Sequence, residues 1–384
     1  MGGVREHPRR WVAAADRVAF LGCVVVVLVL AGAAFSREVL PDDLAVYRGA
    51  VDAWLTGGDL YGFARANGDA FTYPPATALT LAWVHLLPVN GLATAWVLGS
   101  GLLLGWCAIA LHRSAGIGPG VAYAVLLGSA AGRSNLAFGQ FSVVIFALCL
   151  LDATVCPTRR RGWLTGIAAA LKLTPLVFLP GLTAAGRWRP LRRALLAAGV
   201  VTALGVMILP TATLHYLRTG VWGVSTVSNW DSPGNQSLRA VLARSGAPAG
   251  WISLGLSLTI LVGVLAWLNR HRAVVDDLTL WVILGLLSIL ISPVSWTHHR
   301  FWLCVPILMP KLWTTPARQL LRLVLLIAVL LPGLDAGRGW GFPITNLGFL
   351  TTATLLICLL VTDQSSHQLE PPGGKQVAGS GKLR

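Results

Sequence analysis

Acidic side chains are scarce in this chain, and six of its fifteen lie close together after the first apolar segment: Glu38, Asp42, Asp43, Asp52, Asp59 and Asp69. A carboxylate at the start of this segment is expected at the membrane surface, where a lipid headgroup presents its reacting atom. Asp42 and Asp43 are therefore candidates for chemistry on such a headgroup. The structural alternative is helix capping, because Asp is a common N-cap residue.

The candidates for binding an anion are cationic side chains near apolar segments. Lys172 lies within a Leu-Lys-Leu-Thr-Pro sequence, and an ionisable residue at membrane depth marks a functional site, with a lipid phosphate as its natural partner. Arg133 is expected near the outer leaflet, where its guanidinium can hold a phosphate. His298, His299 and Arg300 can donate to a phosphate or to an acceptor hydroxyl. Snorkelling cations and structural histidines are the alternatives.

Amides and aromatic rings suited to sugar binding occur in the long segment before residue 238. Trp230 can stack on the apolar face of a sugar, and Asn235 and Gln236 can bond to its hydroxyl groups. Tyr73 belongs to a Phe-Thr-Tyr-Pro-Pro sequence, in which the prolines fix a rigid turn. Aromatic residues also anchor proteins at the membrane interface, which is the structural alternative for Tyr73.

The sequence predicts no metal site. His298 and His299 are adjacent, so both rarely face one ion, and no third ligand is evident. The six cysteines form neither a CxxC motif nor a Cys/His metal spacing. They are small apolar residues within or beside apolar segments.

The composition indicates the kind of protein that must position these residues. Apolar residues make up 55% of the 384 residues and charged residues 12%, whereas a soluble domain carries about 25% charged residues. The mean hydropathy is +0.69. These values exclude a soluble enzyme, a disordered chain and a small disulfide-rich secreted module. They predict a polytopic membrane protein.

Ten apolar segments are predicted to cross the membrane. They span residues 18–35, 91–111, 117–131, 141–156, 191–210, 249–269, 277–293, 300–313, 319–333 and 345–362. The net charge of +15 comes from basic clusters between these segments, which favours a cytoplasmic side rich in arginine and argues against nucleic-acid binding. The loops at 37–75, 131–140, 211–248 and 292–300 are then expected outside.

Two further segments are too short or too polar to be simple crossings. Residues 162–186 carry arginine clusters at both ends and Lys172 in the middle, which predicts two half-helices that enter and return. Residues 75–88 lie between prolines and predict a short embedded helix. The expected fold is therefore an all-α bundle of about ten to twelve transmembrane or re-entrant helices.

This bundle is predicted to form a single domain. Residues 1–16 are expected to be a cytoplasmic N-terminal segment, and residues 17–362 the transmembrane domain. Residues 363–384 are polar and rich in Gly and Pro, which predicts a disordered cytoplasmic tail.

Six motifs in this order resemble those of glycosyltransferase family 87. They are Asp43-Leu44-Ala45-Val46-Tyr47, Phe71-Thr72-Tyr73-Pro74-Pro75, Gly139-Gln140, Lys172-Leu173-Thr174-Pro175, Asn235-Gln236-Ser237 and Ser292-Pro293-Val294-Ser295-Trp296-Thr297-His298-His299. The resemblance spans about residues 17–362. It implies the GT-C fold and a polyprenol-phosphate sugar as the donor.

The resemblance also implies roles for individual residues. A catalytic carboxylate corresponds to Asp43, and a functional histidine to His298 or His299. Lys172 and Arg133 are expected to hold the donor phosphate, with Arg300 as a further cation. Contacts to the sugar or the acceptor are expected from Asp42, Tyr47, Tyr73, Gln140, Trp230, Asn235, Gln236 and Trp296.

The implied chemistry is an inverting glycosyl transfer that needs one carboxylate as a general base. A phosphate leaves as a stable anion, so no general acid is required, in contrast to glycosidases. The lipid-linked sugar is a substrate, and no cofactor is expected.

Several alternatives stay open at this point. The expected reaction is mannosyl transfer to a phosphatidylinositol mannoside or lipomannan acceptor on the outer face of the plasma membrane. Arabinofuranosyl transfer from a decaprenyl-phosphate donor is the alternative within the family, although the short chain favours mannose. A lipid or sugar transporter is the alternative outside it. The sequence does not fix the acceptor, the linkage or the oligomeric state.

Overall fold

The computed structural model describes residues 6–220, 231–331 and 342–365. Within these ranges every regular element is a helix, and the β pairing consists of two isolated bridges, Ala64 to Ala70 and Asn235 to Trp296. The predicted all-α class is confirmed.

The described ranges contain eighteen α-helices, which follow one another along the chain. The first nine are α1 (Glu6–Phe35), α2 (Asp42–Leu55), α3 (Pro75–Leu81), α4 (Val89–Ala115), α5 (Pro119–Gly128), α6 (Ala130–Phe138), α7 (Ser142–Thr154), α8 (Trp163–Leu171) and α9 (Phe178–Ala184). The others are α10 (Trp188–Ile208), α11 (Pro210–His215), α12 (Leu238–Arg244), α13 (Trp251–Arg270), α14 (Asp277–Ile291), α15 (Cys304–Leu308), α16 (Pro316–Leu330), α17 (Phe342–Thr345) and α18 (Leu347–Ser365).

Tighter or wider helical turns connect several of these helices. The 3₁₀ segments are Ala82–Leu86, Thr174–Val177, Thr297–Leu303 and Pro310–Leu312, and Tyr216–Gly220 is a π-helical turn.

Within the described ranges, four helices are long and apolar enough to cross a membrane: Trp11–Phe35, Val89–Ala115, Trp188–Ile208 and Trp251–Arg270. Five more are apolar but shorter: Pro119–Gly128, Ser142–Thr154, Thr174–Ala184, Asp277–Ile291 and Leu347–Val361. The chain is a helical membrane protein, whereas the count of ten to twelve spanning or re-entrant helices stays a prediction.

The helices differ in how much apolar surface they expose. α14 is buried on nearly every face from Leu278 to Leu290, as is typical of a helix that is apolar all round. α10 instead leaves large apolar side chains such as Met207 and Leu196 exposed. Soluble proteins rarely expose such surfaces, so the outer helices have the character of lipid-facing helices.

One end of the buried helices is held together by carboxylates. Asp152, near the end of α7, accepts a hydrogen bond over 2.8 Å from the backbone N–H of Gly162, just before α8. Arg161 forms an ion pair with Asp277, the first residue of α14. The arginine-rich loops therefore gather at the end of α7 and at the starts of α8 and α14.

The opposite ends of the same helices also meet. Lys172, directly after α8, donates to the hydroxyl of Ser142, the first residue of α7, over 3.1 Å. It also contacts His299, which follows α14, over 2.9 Å. α7 has 13 residues and is therefore about 20 Å long, so Lys172 and its partners are well separated from the arginine-rich end.

The predicted break in the segment 162–186 is present. α8 ends at Leu171, Lys172 adopts an extended conformation, and the chain returns through the 3₁₀ turn and α9. Pro175 lacks the N–H that would continue a helix. Gly166 allows α8 to approach α10 closely, because a Cβ there would lie 2.2 Å from the carbonyl oxygen of Ala194.

Two sequence predictions about local structure were wrong. Residues 131–140, expected as a loop, form α6, which begins after the N-cap Ser129 and ends at Gly139 with φ +69°. Residues 300–313, expected as one span, form two 3₁₀ turns around the five-residue α15. Pro306 and Pro310 interrupt that segment, since proline cannot donate a backbone hydrogen bond.

Candidate active site

Five separate segments bring their polar side chains together at the end of the bundle opposite the arginine-rich loops. The segments are the start of α2, the turn before α3, the α6–α7 connection, the break after α8, and the 3₁₀ turn after α14. The residues they contribute are Asp43, Tyr47, Tyr73, Gln140, Ser142, Lys172, His298 and His299. We call these eight residues the polar cluster.

Asp43 lies in the first turn of α2 and does not cap it. The N-cap is Pro41, which makes no side-chain capping bond, so the capping alternative for both aspartates was wrong. Asp42 forms an ion pair with Arg65. A carboxylate in the first turn is favoured by the positive end of the helix dipole, and Asp43 remains available for other interactions.

Gln140 connects the carboxylate to two tyrosines. Its side chain hydrogen-bonds to Asp43, and its Oε1 accepts from the hydroxyls of Tyr47 and Tyr73 over 3.2 and 3.1 Å. Because Oε1 is the acceptor of the tyrosines, the amide NH₂ group is the donor to Asp43. Gln140 is 5% exposed, so this orientation is fixed by buried partners.

Gly139 permits this close approach. Its φ of +69° lies in the left-handed region, and a Cβ there would lie 2.6 Å from the Cβ of Leu44 in α2. A side chain at Gly139 would therefore separate Gln140 from the start of α2.

The two tyrosines keep their protons. Burial raises the pKa of both Tyr47 and Tyr73 above the usual value for a phenol. Their hydroxyl oxygens are 3.1 Å apart, and the backbone N–H of Phe141 donates to Tyr47 over 3.3 Å. Both phenols are therefore hydrogen-bond donors at neutral pH.

Lys172 supplies the positive charge of the polar cluster. Its ammonium group donates to Tyr73 over 3.4 Å and to Ser142 over 3.1 Å, and contacts His299 Nε2 over 2.9 Å. The hydrogen bonds thus run from Lys172 through Tyr73 and Gln140 to Asp43. One cation and one carboxylate therefore lie at the two ends of a continuous series of hydrogen bonds.

Asp43 has a pKa that is suited to proton transfer near neutral pH. Burial raises the pKa of Asp43 to about 6. The Gln140 hydrogen bond and the charge of Lys172 act in the opposite direction, and the charges of Asp69 and Asp42 add to the rise. A general base is most effective when its pKa lies near the working pH.

The two histidines differ in their contacts. His299 contacts Lys172 through Nε2, and the ring of His298 meets that of His299 edge-on at 4.6 Å. Burial lowers the pKa of both rings far below the usual value, and the charge of Lys172 lowers both further. Both rings are therefore neutral, and His299 is the one in direct contact with the cation.

Of two further predicted cations, Arg133 bonds away from the polar cluster, whereas the charge of Arg300 acts on the rings of His298 and His299. The exposed Arg133 donates to the carbonyl oxygens of Gly128 and Leu330, over 2.7 Å to the latter. Arg300 is buried, bonds to Thr297 over 2.7 Å, and its guanidinium lies against Gly348 of α18. The roles of both arginines in binding phosphate stay predictions.

Asn235 and Gln236 use their amides to join loops. Asn235 Oδ1 accepts from the backbone N–H of Ser295 over 2.8 Å. Gln236 donates to the carbonyl of Thr345 over 2.8 Å and accepts from the N–H of Phe349 over 2.9 Å. Both residues are almost completely buried, so in this structure they hold the loops around the cluster, and their contact with a sugar stays a prediction.

The other predicted contact residues have different surroundings. Trp296 is partly buried, forms the isolated bridge with Asn235 and packs beside Gly234. Asp42 is held by Arg65 at the edge of the cluster. Trp230 lies outside the described residues.

Two residues near the site were missed from the sequence. Ser142 follows Gln140 by two positions and bonds to Lys172, and its signal was a hydroxyl at the start of an apolar helix. Arg65 pairs with Asp42, and its signal was a cation inside an otherwise acidic segment.

Comparison with known proteins identifies similar chains. The sequence model described as glycosyltransferase family 87 matches residues 71–293. A polyprenol-phosphate-mannose-dependent alpha-(1-2)-phosphatidylinositol pentamannoside mannosyltransferase of Mycolicibacterium smegmatis is 29% identical over 284 residues, covering 70% of this chain and 68% of that protein. A polyprenol-phosphate-mannose-dependent alpha-(1-2)-phosphatidylinositol mannoside mannosyltransferase of Mycobacterium tuberculosis is 31% identical over 310 residues, covering 69% of each. No solved structure matches the chain.

Proposed function

The chain belongs to glycosyltransferase family 87, and we propose that it is an inverting mannosyltransferase that uses polyprenyl-phosphate-mannose as its donor. The names of the similar mycobacterial proteins support mannose as the sugar and a phosphatidylinositol mannoside as the type of acceptor. The observation that carries the mechanism is the continuous connection from Asp43 through Gln140 and Tyr73 to Lys172.

The proposed reaction forms one bond and breaks one. The oxygen of an acceptor hydroxyl attacks C1 of the mannosyl group, while the bond from C1 to the phosphate oxygen breaks with its electron pair. Asp43 accepts the hydroxyl proton, and polyprenyl phosphate leaves as an anion. A β-linked donor then gives an α-linked product, because a single displacement inverts the configuration at C1.

Lys172 is proposed to stabilise the charge that develops on the leaving phosphate. Its ammonium group is held by neutral partners, Tyr73, Ser142 and His299. A fixed donor near the position where negative charge develops stabilises the transition state more than water does. His299 is proposed to orient Lys172, and Tyr47 and Tyr73 to keep Gln140 directed at Asp43.

The reaction is proposed to take place on the outer face of the plasma membrane. The arginine-rich loops lie at the opposite end of α7 and α8 from Lys172, as the hydrogen bonds at the two ends require. Because cytoplasmic loops are enriched in arginine and lysine, this arrangement supports an outward-facing polar cluster. The acceptor is then a glycolipid of the outer leaflet.

The test is sugar transfer by the purified protein in detergent, with polyprenyl-phosphate-mannose and decaprenyl-phosphate-arabinose offered in parallel. We expect a mannosylated glycolipid and no arabinosylated one. Transfer of arabinose alone would identify the other donor class. Movement of lipid in sealed vesicles with no transfer in detergent would instead identify a transporter, because transfer does not need a closed membrane.

Asp43→Asn tests the base directly. Losing general-base catalysis should lower kcat/KM by at least about a hundredfold. Asp59→Asn is the matched control, because Asp59 is an exposed carboxylate of the same segment whose side chain accepts only from the N–H of Tyr61 among the described residues. Full activity of Asp43→Asn would remove Asp43 as the base.

A further inference from the structure

A small cavity with a mixed polar and apolar lining lies beside Lys172, between α7, the break after α8 and α14. Its volume is about 30 Å³. Its polar lining residues are Ser142, Lys172, Thr174, Ser288, Ser292, Ser295 and His299, and the rest of the lining is mostly apolar and includes Phe146 and Trp302. A water molecule needs roughly 10–15 Å³ of such space, so the cavity is large enough for one or two waters and too small for a sugar ring.

Two buried polar atoms on residues that line this cavity have no partner among the described parts of the chain. They are Oγ of Ser295 and Nδ1 of His299. Ser295 is completely buried, and its backbone is already bonded to Asn235 and Gln236. Buried polar atoms in proteins are almost always hydrogen-bonded to protein or to ordered water. These two atoms therefore point to a ligand that can both donate and accept.

The contact with Lys172 favours one of the two neutral forms of His299. A lysine ammonium group has three donors and no acceptor. With Lys172 as an ammonium group, Nε2 of His299 accepts at 2.9 Å and the ring proton is on Nδ1. That buried N–H then requires an acceptor, and water is the acceptor that fits a cavity of this size with several hydroxyl groups in its lining.

We propose that this cavity binds one or two structural water molecules that accept from His299 Nδ1 and bond to Ser295 Oγ. The waters hold His299 in its Nδ1-protonated form, and this form directs Lys172 toward Tyr73 and Ser142. If the proton moved to Nε2, two donors would face each other across 2.9 Å and Lys172 would leave its position. Ser295 and His299 are thus positioning residues.

The effect on catalysis rests on the proposed function, in which Lys172 stabilises the leaving phosphate. The water site itself does not depend on that function, because it follows from the cavity, the two unpartnered atoms and the Lys172–His299 contact. A spectroscopic measurement therefore tests the water site, and a kinetic measurement tests its effect on catalysis.

The first measurement is ¹⁵N NMR of the full-length protein in detergent micelles, with labelled histidine and with His299→Gln to assign the signal. We expect His299 to carry its proton on Nδ1. Ser288→Val places methyl groups in the cavity without removing a needed bond, since the Ser288 hydroxyl bonds within its own helix to Gly285. We expect this variant to shift His299 toward the Nε2-protonated form.

Ser295→Ala is the gentler second variant, because it removes the hydroxyl and keeps the backbone bonds of that residue. The matched control is Ser253→Ala on α13, a buried serine whose hydroxyl donates to the carbonyl of the N-cap Gly250. A proton on Nε2 of His299 in the unaltered protein would overturn the proposal. So would an Nδ1-protonated ring in both cavity variants.

The second measurement is steady-state transfer from polyprenyl-phosphate-mannose. Losing one buried hydrogen-bonded water should lower kcat/KM for the donor by about tenfold in both cavity variants, with KM for the acceptor unchanged. Equal changes for donor and acceptor would show a general structural effect and contradict the positioning role. If no preparation transfers sugar, the proposed function fails, while the NMR result still decides the water site.

Discussion

Gln140 adjusts the basicity of Asp43 through a single hydrogen bond. That bond favours the ionised carboxylate and partly offsets the effect of burial, which raises the pKa of Asp43 to about 6. Tyr47 and Tyr73 hold the amide so that its NH₂ group faces Asp43. The same three residues therefore set both the direction and the pH range of proton transfer.

Replacing Gln140 should move the pH profile in a defined direction. The base must be ionised to act, so kcat/KM for the acceptor should fall as the pH is lowered through about 6. Gln140→Met removes the hydrogen bond that lowers the pKa of Asp43, so the acidic limb should move to higher pH. The measurement is kcat/KM across acidic to alkaline pH.

The control for this experiment is Gln319→Met, which makes the same change at an exposed position of α16. Its profile should overlay that of the unaltered protein. An acidic limb that stays in place in Gln140→Met would show that Asp43 is not the titrating group.

Asp43 is also expected to lower the stability of the folded state. Its pKa is raised on folding from the ordinary value of 3.8 to about 6. Between these values the folded state binds more protons than the unfolded state, so the stability contributed by this group falls as the pH rises. An ionised Asp43 at neutral pH is thus retained at the expense of stability, as is common at active sites.

Asp43→Asn should consequently be inactive and yet more resistant to heat at neutral pH. The advantage in Tm should shrink as the pH is lowered, and should vanish below the pKa of an unfolded aspartate, where Asp43 is protonated in both states. Thermal unfolding at several pH values checks this. Asp59→Asn, at an exposed position, should show no such trend, and a Tm for Asp43→Asn below that of the unaltered protein would contradict the expectation.

The C-terminal end of α6 determines the distance between the helices α2 and α7. Gly139 has φ +69° and lies against Leu44. Gly116, at the end of α4, has nearly the same φ of +67° and nothing within 4 Å of a Cβ placed there. The two glycines share a backbone conformation and differ only in what surrounds them.

Gly139→Ala and Gly116→Ala should therefore separate conformational cost from packing. Both alanines take on a left-handed conformation at a cost of about 1–2 kcal/mol. Gly139→Ala must in addition displace α2, so its activity should fall by at least about tenfold, through misplacement of Asp43. Thermal unfolding and transfer assays on both variants provide the comparison, and equal activities would mean that α2 tolerates the added methyl group.

Apolar patterning predicted most of the helices because a long apolar segment in a membrane must satisfy its backbone hydrogen bonds internally, as a helix does. It was wrong for residues 131–140, where the cap at Ser129 and the turn at Gly139 define a helix with few apolar residues. The ordered motifs that carry the family resemblance indicated that Asp43, Gln140, Lys172 and His299 belong to one site. The hydrogen-bond partners of Arg133 and Asn235 were not predictable, because they depend on which loops become neighbours in three dimensions.

The two ends of the whole bundle differ in the charged residues that they carry. The polar cluster with the acidic start of α2 lies at one end, and the carboxylate-bound arginines Arg161 and Arg187 lie at the other. This polarity predicts that the membrane holds the chain in one orientation, with the cluster outside. The orientation decides which leaflet supplies both substrates.

Labelling with a membrane-impermeant maleimide tests the orientation. Asp59→Cys places a thiol on an exposed residue at the cluster end, and Arg160→Cys places one on an exposed residue at the other end. Both are made in a background with Cys156→Ser, because Cys156 is only partly buried near the arginine-rich loops. The four cysteines Cys23, Cys107, Cys149 and Cys304 are buried and serve as unlabelled residues.

In intact cells the thiol at position 59 should react, and the thiol at position 160 should react only after the membrane is opened. The parent with neither new cysteine reports background from Cys358, which is also partly buried. The reverse pattern would put Asp43 and Lys172 on the cytoplasmic side. That result would contradict a reaction on the outer face of the membrane and would place both substrates in the inner leaflet.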